Sequence, residues 1–208
     1  MVSEGIPSDK IKILGSLRFE HDWINRQEEI YKSYKYERES DLLKIVILPS
    51  KILYKGYPEK IRKMLISVVE TGNCVVIKPH TRGMKVDFLY DLIQQYNLSI
   101  ENEVPTYVLS KWCDIGIVWG SSIGLQLLAG RKELIYPKHA HGNISFYEKY
   151  IPECVVNDDF EILNRLKSLK EENKSYLDNE NIKKLFSELV YTGSSNSVVD
   201  KYEKYFDD

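Results

Sequence analysis

The amino-acid sequence predicts an α/β domain, a mainly parallel β-sheet covered on both faces by helices. Three observations lead there. Short β-branched runs alternate with longer stretches whose apolar residues recur at helical spacing, the pattern of βα units. Most of these runs end in glycine, proline or serine, which stop a strand and turn the chain. The 208 residues are 43% hydrophobic and 29% charged, ordinary proportions for a single domain with a substantial core.

Residues 1–10 are polar, contain Gly5 and Pro7, and read as a linker. The alternation Ile11-Lys12-Ile13-Leu14 predicts a first strand that ends at Gly15-Ser16. Residues 22–36 then carry Trp23, Ile24, Ile30, Tyr31 and Tyr34 in a helical or irregular excursion. A strand over 44–48 is stopped by Pro49, and Pro58 suits the first turn of a helix that places Ile61, Met64, Leu65, Val68 and Val69 on one side. Gly72-Asn73 closes that helix, 74–78 is the next buried strand, and 87–96 reads as another helix. Residues 106–109 form a weaker strand candidate, with Ser110 capping one helical turn through Cys113. Next come a strand at 114–118, an apolar helix at 123–129 ended by Gly130, a strand at 133–137 and a polar loop at 138–144. A short strand at 154–156, a helix from the cap Asp158 to about Lys170, and two helices joined across 192–196 complete the chain. The expected division is a linker at 1–10, the α/β domain at 11–170 and terminal helices at 171–208.

Composition excludes several function classes. With 29 Lys+Arg against 31 Asp+Glu the formal net charge is −2, so no global field attracts nucleic acid and any phosphate must meet a local site. Cys74, Cys113 and Cys154 are odd in number and lack paired spacing, which favours buried, reduced thiols in a cytoplasmic protein over disulfides or a nucleophile. No apolar run approaches the length of a membrane span; the longest, 42–48, is broken by Lys44. Any membrane association is expected to be peripheral.

In parallel sheets ligands gather outside the carboxyl ends of the strands, so the residues just after each strand carry the functional expectations. Gly120-Ser121-Ser122 precedes a helix, where free N–H groups, the helix dipole and two hydroxyls suit an anion, although one serine is also what an N-cap needs. Lys78-Pro79-His80-Thr81-Arg82 brings an ammonium, an imidazole and a guanidinium within five residues, a set suited to a diphosphate or phosphodiester. In Lys138-His139-Ala140-His141-Gly142-Asn143 the two histidines are spaced for chelation, but no nearby carboxylate or cysteine completes a shell, so no metal is expected and ligand contact or exposure is favoured. No P-loop, DxD, HExxH or GxSxG occurs. Gly15-Ser16-Leu17-Arg18 is not a dinucleotide fingerprint.

Taken in order, the segments ILGSLRFEHDW, KIVILPSK, VVIKPHTRG, CDIGIVWGSSIGLQLLAGRK and LIYPKHAHGN resemble the carboxyl-terminal, nucleotide-binding half of bacterial surface and capsular polysaccharide transferases of GT-B architecture. The relatives in kind are CDP-glycerol glycerophosphotransferases and sialyl- and Kdo-transferases with His-Pro and Ser-Ser motifs. The resemblance covers residues 11–145 and implies a Rossmann-like domain that binds a nucleotide-activated sugar or CDP-glycerol as substrate, with no cofactor. It further implies that His80 contacts the donor phosphate and assists its departure, that Ser121 and Ser122 hold that phosphate, and that Lys78 and Arg82 stabilise its charge. Gly15, Arg18, Gly120, Gln126, His141 and Asn143 complete the implied donor pocket.

Two positions depart from the pattern: His80 precedes Thr81, with proline displaced to Pro79, and Gln126 stands where related enzymes often place a ribose-binding glutamate. The chain also has residues for only one of the two Rossmann-like domains of a GT-B enzyme, so an amino-terminal acceptor domain or subunit is the implied partner. The alternatives are a non-catalytic module that binds a nucleotide, a phosphosugar or a partner subunit, and, third, a sugar-nucleotide 2-epimerase-like domain.

Overall fold

A computed structural model describes residues 5–38, 40–49, 56–80, 89–172, 174–193 and 197–207. Its centre is a six-stranded sheet of β1 (Lys44–Leu48), β2 (Cys74–Ile77), β3 (Ser99–Ile100), β4 (Ile115–Val118), β5 (Glu133–Pro137) and β6 (Val155–Val156). The order is β3-β2-β1-β4-β5-β6 and every pairing is parallel. The sequence shows why. Ile45 to Leu48, Cys74 to Ile77 and Ile115 to Val118 are buried throughout, as strands covered on both faces must be.

The helices follow from the connections: α1 (His21–Ile30), α2 (Pro58–Val69), α3 (Tyr90–Tyr96), α4 (Thr106–Trp112), α5 (Gly124–Ala129), α6 (Phe146–Tyr150), α7 (Asp159–Glu172), α8 (Asn179–Leu185) and α9 (Val198–Asp207). Pro58 opens α2, which buries Ile61, Met64, Leu65 and Val68, and Gly72 turns the chain out of it at φ +71°. The sheet extends in opposite directions from β1 and from β4, so right-handed crossovers place α2 and α5 on opposite faces. On one face α2 packs against α7, and on the other α4 packs against α5. Cys74, Cys113 and Cys154 are free and buried. Burial pushes the thiols of Cys113 and Cys154 up to about 12, which keeps them protonated.

The structure corrects two sequence expectations and adds one strand. Residues 11–16 form no strand, and Ile13 is exposed. The alternation there is only four residues long, and the following segment docks on the carboxyl-terminal helices instead. Residues 106–109 are the start of α4 rather than a strand. The extended conformation of Pro105 launches the helix, the Ser110 hydroxyl bonds back to the Tyr107 carbonyl at 2.7 Å, and Tyr107, Val108 and Leu109 are all buried, so packing overrides the β preference of their side chains. The edge strand β3, two residues long, is carried by Ser99 and Ile100 and has no sequence signal.

The two ends of the described chain meet. The carboxylate of Glu20, buried at 3% exposure, accepts from the Val198 N–H at 2.7 Å and the Ser197 hydroxyl at 2.8 Å. The Ser16 N–H donates to the Val190 carbonyl at 3.0 Å. Among the described residues no helix is long and apolar enough to cross a membrane.

Candidate functional site at the carboxyl edge

Because all six strands run the same way, the segments that follow them open on one edge of the sheet. The strand order reverses between β1 and β4, and the crevice outside that reversal is where such sheets place ligands. Residues 119–122 follow β4 at this point, Lys78 to His80 follow β2, and 138–143 follow β5. Ser50, Lys51, Arg82 and the start of the helix expected from Asp87 lie outside the described residues.

The turn at 120–122 is built for close approach. Gly120 has φ +59°, in the left-handed region that favours glycine. Ser121 Oγ accepts from the Ile123 N–H at 3.3 Å, while Ser122 is exposed. Behind the turn, Gly124 lies against Tyr147 so closely that a Cβ would come within 2.3 Å of the phenolic oxygen. That hydroxyl donates to the Ser121 carbonyl at 3.3 Å and pins the turn to α6. In front of it lies a concavity of about 350 Å³. Gly120, Ser121 and Ser122 form one wall, and Tyr136, Asn143, Ile144, Ser145 and Phe146 the other.

Only part of this second wall was legible in the sequence. Asn143 was expected; Tyr136, Ser145 and Phe146 were not. The available signal was Ser145-x-x-Glu148, a capping box whose reciprocal bonds start α6 and set Phe146 in its first turn.

The remaining expected residues divide. His80 is half-buried at the end of the β2 segment. His141 is buried at 3% exposure; its Nδ1 accepts from the Asn143 N–H at 3.1 Å, and its ring meets Tyr136 edge to face at 4.9 Å. That hydrogen bond places the ring proton on Nε2, which has no partner among the described residues. Burial pulls the His141 pKa down to about 4, so the imidazole is neutral at physiological pH. His139 turns elsewhere, its Nε2 lying 2.8 Å from Asp159 Oδ1. Among the described residues no group of three His, Cys, Asp or Glu side chains is placed to hold a metal ion.

Lys78 is buried and donates to the Asn102 carbonyl at 2.5 Å. Burial lowers its pKa against the opposing pull of Glu103 and Glu101. Gln126 is buried too and donates to Ser110 Oγ on α4 at 3.3 Å. Gly15, with φ +107°, packs against Val190 and Val198, and Arg18 is exposed with its guanidinium 5.3 Å from the Phe19 ring centre. The strand that was to carry these last two residues to the carboxyl edge is absent.

A parallel sheet in this order, with a glycine-serine turn at the strand-order reversal, defines a Rossmann-like α/β domain. Comparison with solved structures agrees with that class. The chain is similar to the UDP-GlcNAc 2-epimerase from Neisseria meningitidis, solved bound to UDP-GlcNAc, with 16% identity and a TM-score of 0.62. The match covers 100% of this chain and 58% of that one, so the chain spans less than two thirds of its neighbour. A weaker likeness, with 21% identity and a TM-score of 0.43, is to the β-Kdo 2,7 transferase KpsC of Thermosulfurimonas dismutans, covering 66% of this chain and 46% of that one. No protein-family model and no curated protein matches the sequence. The likeness to the epimerase is one of fold.

Proposed function

We propose that the chain is the donor-nucleotide-binding half of a transferase that moves a sugar or glycerol-phosphate group in bacterial envelope polysaccharide biosynthesis. The observation that carries this reading is the concavity beside the strand-order reversal, where the 120–122 turn faces the partly exposed Phe146. A nucleotide-activated donor combines the two chemistries this arrangement suits: phosphate oxygens for the hydroxyls and backbone N–H groups, and a base or sugar face for the Phe146 ring. In this reading Ser121 and Ser122 hold the phosphate that departs with the nucleotide, and His80 donates a hydrogen bond or a proton to it. Arg82 supplies further positive charge. The part of Lys78 is different from the one first expected, since its ammonium secures the loop after β3 through Asn102. An amino-terminal acceptor domain or subunit would complete the enzyme, and the acceptor would reach it by peripheral contact with the cytoplasmic face of the membrane.

The test is thermal unfolding of the purified chain with CMP, CDP, UMP, UDP, GDP and inorganic phosphate. A ligand at ~100 times its dissociation constant adds about 2.7 kcal/mol of stability. Stabilisation by a cytidine nucleotide supports a CDP-glycerol or CMP-sugar donor, and by a uridine or guanosine nucleotide another sugar-nucleotide donor. The Ser121→Ala/Ser122→Ala variant is expected to bind the same nucleotide about 1–3 kcal/mol more weakly, as when hydrogen bonds to a charged group are removed. Absence of stabilisation by every nucleotide overturns the reading.

The engagement of Lys78 with Asn102 favours a second reading, a nucleotide- or phosphosugar-binding module without catalysis. Nucleotide binding with no release of nucleoside phosphate from any activated sugar, even beside an acceptor domain, would select it.

A further inference from the structure

A second concavity, of about 410 Å³, shares no lining residue with the one at the 120–122 turn. It lies where the segment after α1 runs along α4, and five aromatic rings line it: Tyr31, Tyr34, Tyr36, Tyr107 and Trp112. Their arrangement is fixed by their neighbours. Tyr31 stacks on Tyr107 with centroids 5.8 Å apart and planes 24° from parallel, and Tyr36 meets Trp112 edge to face at 5.3 Å and 88°. The Tyr36 hydroxyl donates to Glu101 at 2.7 Å, and the Trp112 indole N–H donates to the Arg38 carbonyl at 2.9 Å. Tyr34 remains 43% exposed. The rim is polar, with Lys111 paired to Glu28 at 3.1 Å and a second ammonium, that of Lys32, exposed beside them.

We propose that this concavity is a saccharide-binding subsite that takes ring units of a glycan chain. A pyranose presents an apolar C–H face, slightly positive at its hydrogens, and a girdle of hydroxyls that both donate and accept. Aromatic faces carry the complementary negative quadrupole, and the rim carries the complementary hydrogen-bonding groups: a carboxylate that accepts, ammonium groups that donate and tyrosyl hydroxyls that do both. The volume lies within the range of small-molecule sites. Glu28 and Lys111 neutralise each other, so Lys32 is the single excess charge at the rim and is less than the cluster of cations a phosphate site usually gathers. A proline-rich peptide docking in an aromatic groove would find the Trp112 N–H already engaged by Arg38.

Position adds to the argument. The helix α4 follows β3, so its first turn, with Tyr107, starts toward the carboxyl edge of the sheet, and Trp112 ends it at the opposite side. The choice of a glycan as occupant rests in part on the transferase reading above.

Saturation-transfer NMR on the full chain tests the proposal, with tetrasaccharides of glucose, of N-acetylglucosamine and of alternating glucuronate and N-acetylglucosamine as probes. The expected result is transfer to sugar C–H protons of one or more probes, with about tenfold weaker binding in Tyr34→Ala, where an aromatic platform is lost. Tyr34→Phe keeps the ring and is expected to bind as the parent chain does, and both variants should melt with it because Tyr34 is exposed. Absence of transfer to every probe, undiminished transfer in Tyr34→Ala, or transfer only to a decaproline peptide overturns the proposal. No nucleotide enters this titration, so failure of the saccharide site and failure of the donor site are separate results.

Discussion

At His141 burial and one backbone hydrogen bond fix both the charge and the tautomer. Protonation would place a hydrogen on Nδ1, where the Asn143 N–H already donates. The pKa near 4, against an ordinary value of 6.5, means that the unfolded chain binds this proton more readily than the folded one. The stability this group contributes is therefore complete above about pH 6.5 and lost as pH falls toward 4, with a magnitude of about 3 kcal/mol. Urea unfolding across that range should show a shallower acid-side decline in His141→Asn, which keeps an acceptor for the Asn143 N–H and does not titrate there. An unchanged slope would contradict this assignment. Gly124 is a second point of tight geometry, since a Cβ would approach the Tyr147 hydroxyl to 2.3 Å and Tyr147 is fully buried. Gly124→Ala is expected to cost about 1–3 kcal/mol by overpacking and to loosen the 120–122 turn, which equilibrium unfolding and nucleotide affinity together would register.

Among the elements, those with a clear period and a clear stop could be read from the sequence. The β-branched run at β1 ends at Pro49, and α2 is bracketed by Pro58 and Gly72, so both were placed correctly. The segment that became α4 has the β-forming residues Tyr107 and Val108, and only its packing on the sheet and α5 decides for a helix. The same limit applies to the site. That Gly120, Ser121 and Ser122 form a turn beside a concavity follows from local sequence, whereas the engagement of Gln126 with Ser110 and of Lys78 with Asn102 depends on which elements become neighbours. The strand expected just before Gly15 and Arg18 does not form because its alternation is only four residues long. The segment that holds them acts as a latch, with Glu20 accepting from the first turn of α9. Glu20→Ala leaves the Val198 N–H and the Ser197 hydroxyl without that acceptor and should cost about 1–3 kcal/mol. Glu20→Gln retains an acceptor oxygen and should cost less. Amide exchange in α9 reports the difference, and equal protection in both variants would count against the latch.

For the whole molecule, the order β3-β2-β1-β4-β5-β6 gathers segments far apart in sequence onto one edge, the way in which a chain of net charge −2 would assemble the anion site proposed above. The proposal at this scale is that this edge, at the 120–122 turn, receives the nucleotide of an activated donor. Amide hydrogen exchange with and without millimolar CMP, CDP, UMP, UDP or GDP tests it. Slowed exchange concentrated at residues 120–124 and 142–147, with the helices α1, α8 and α9 unchanged, is the expected result for at least one of them. Unaltered exchange in both segments with every nucleotide, or protection centred elsewhere, would contradict it.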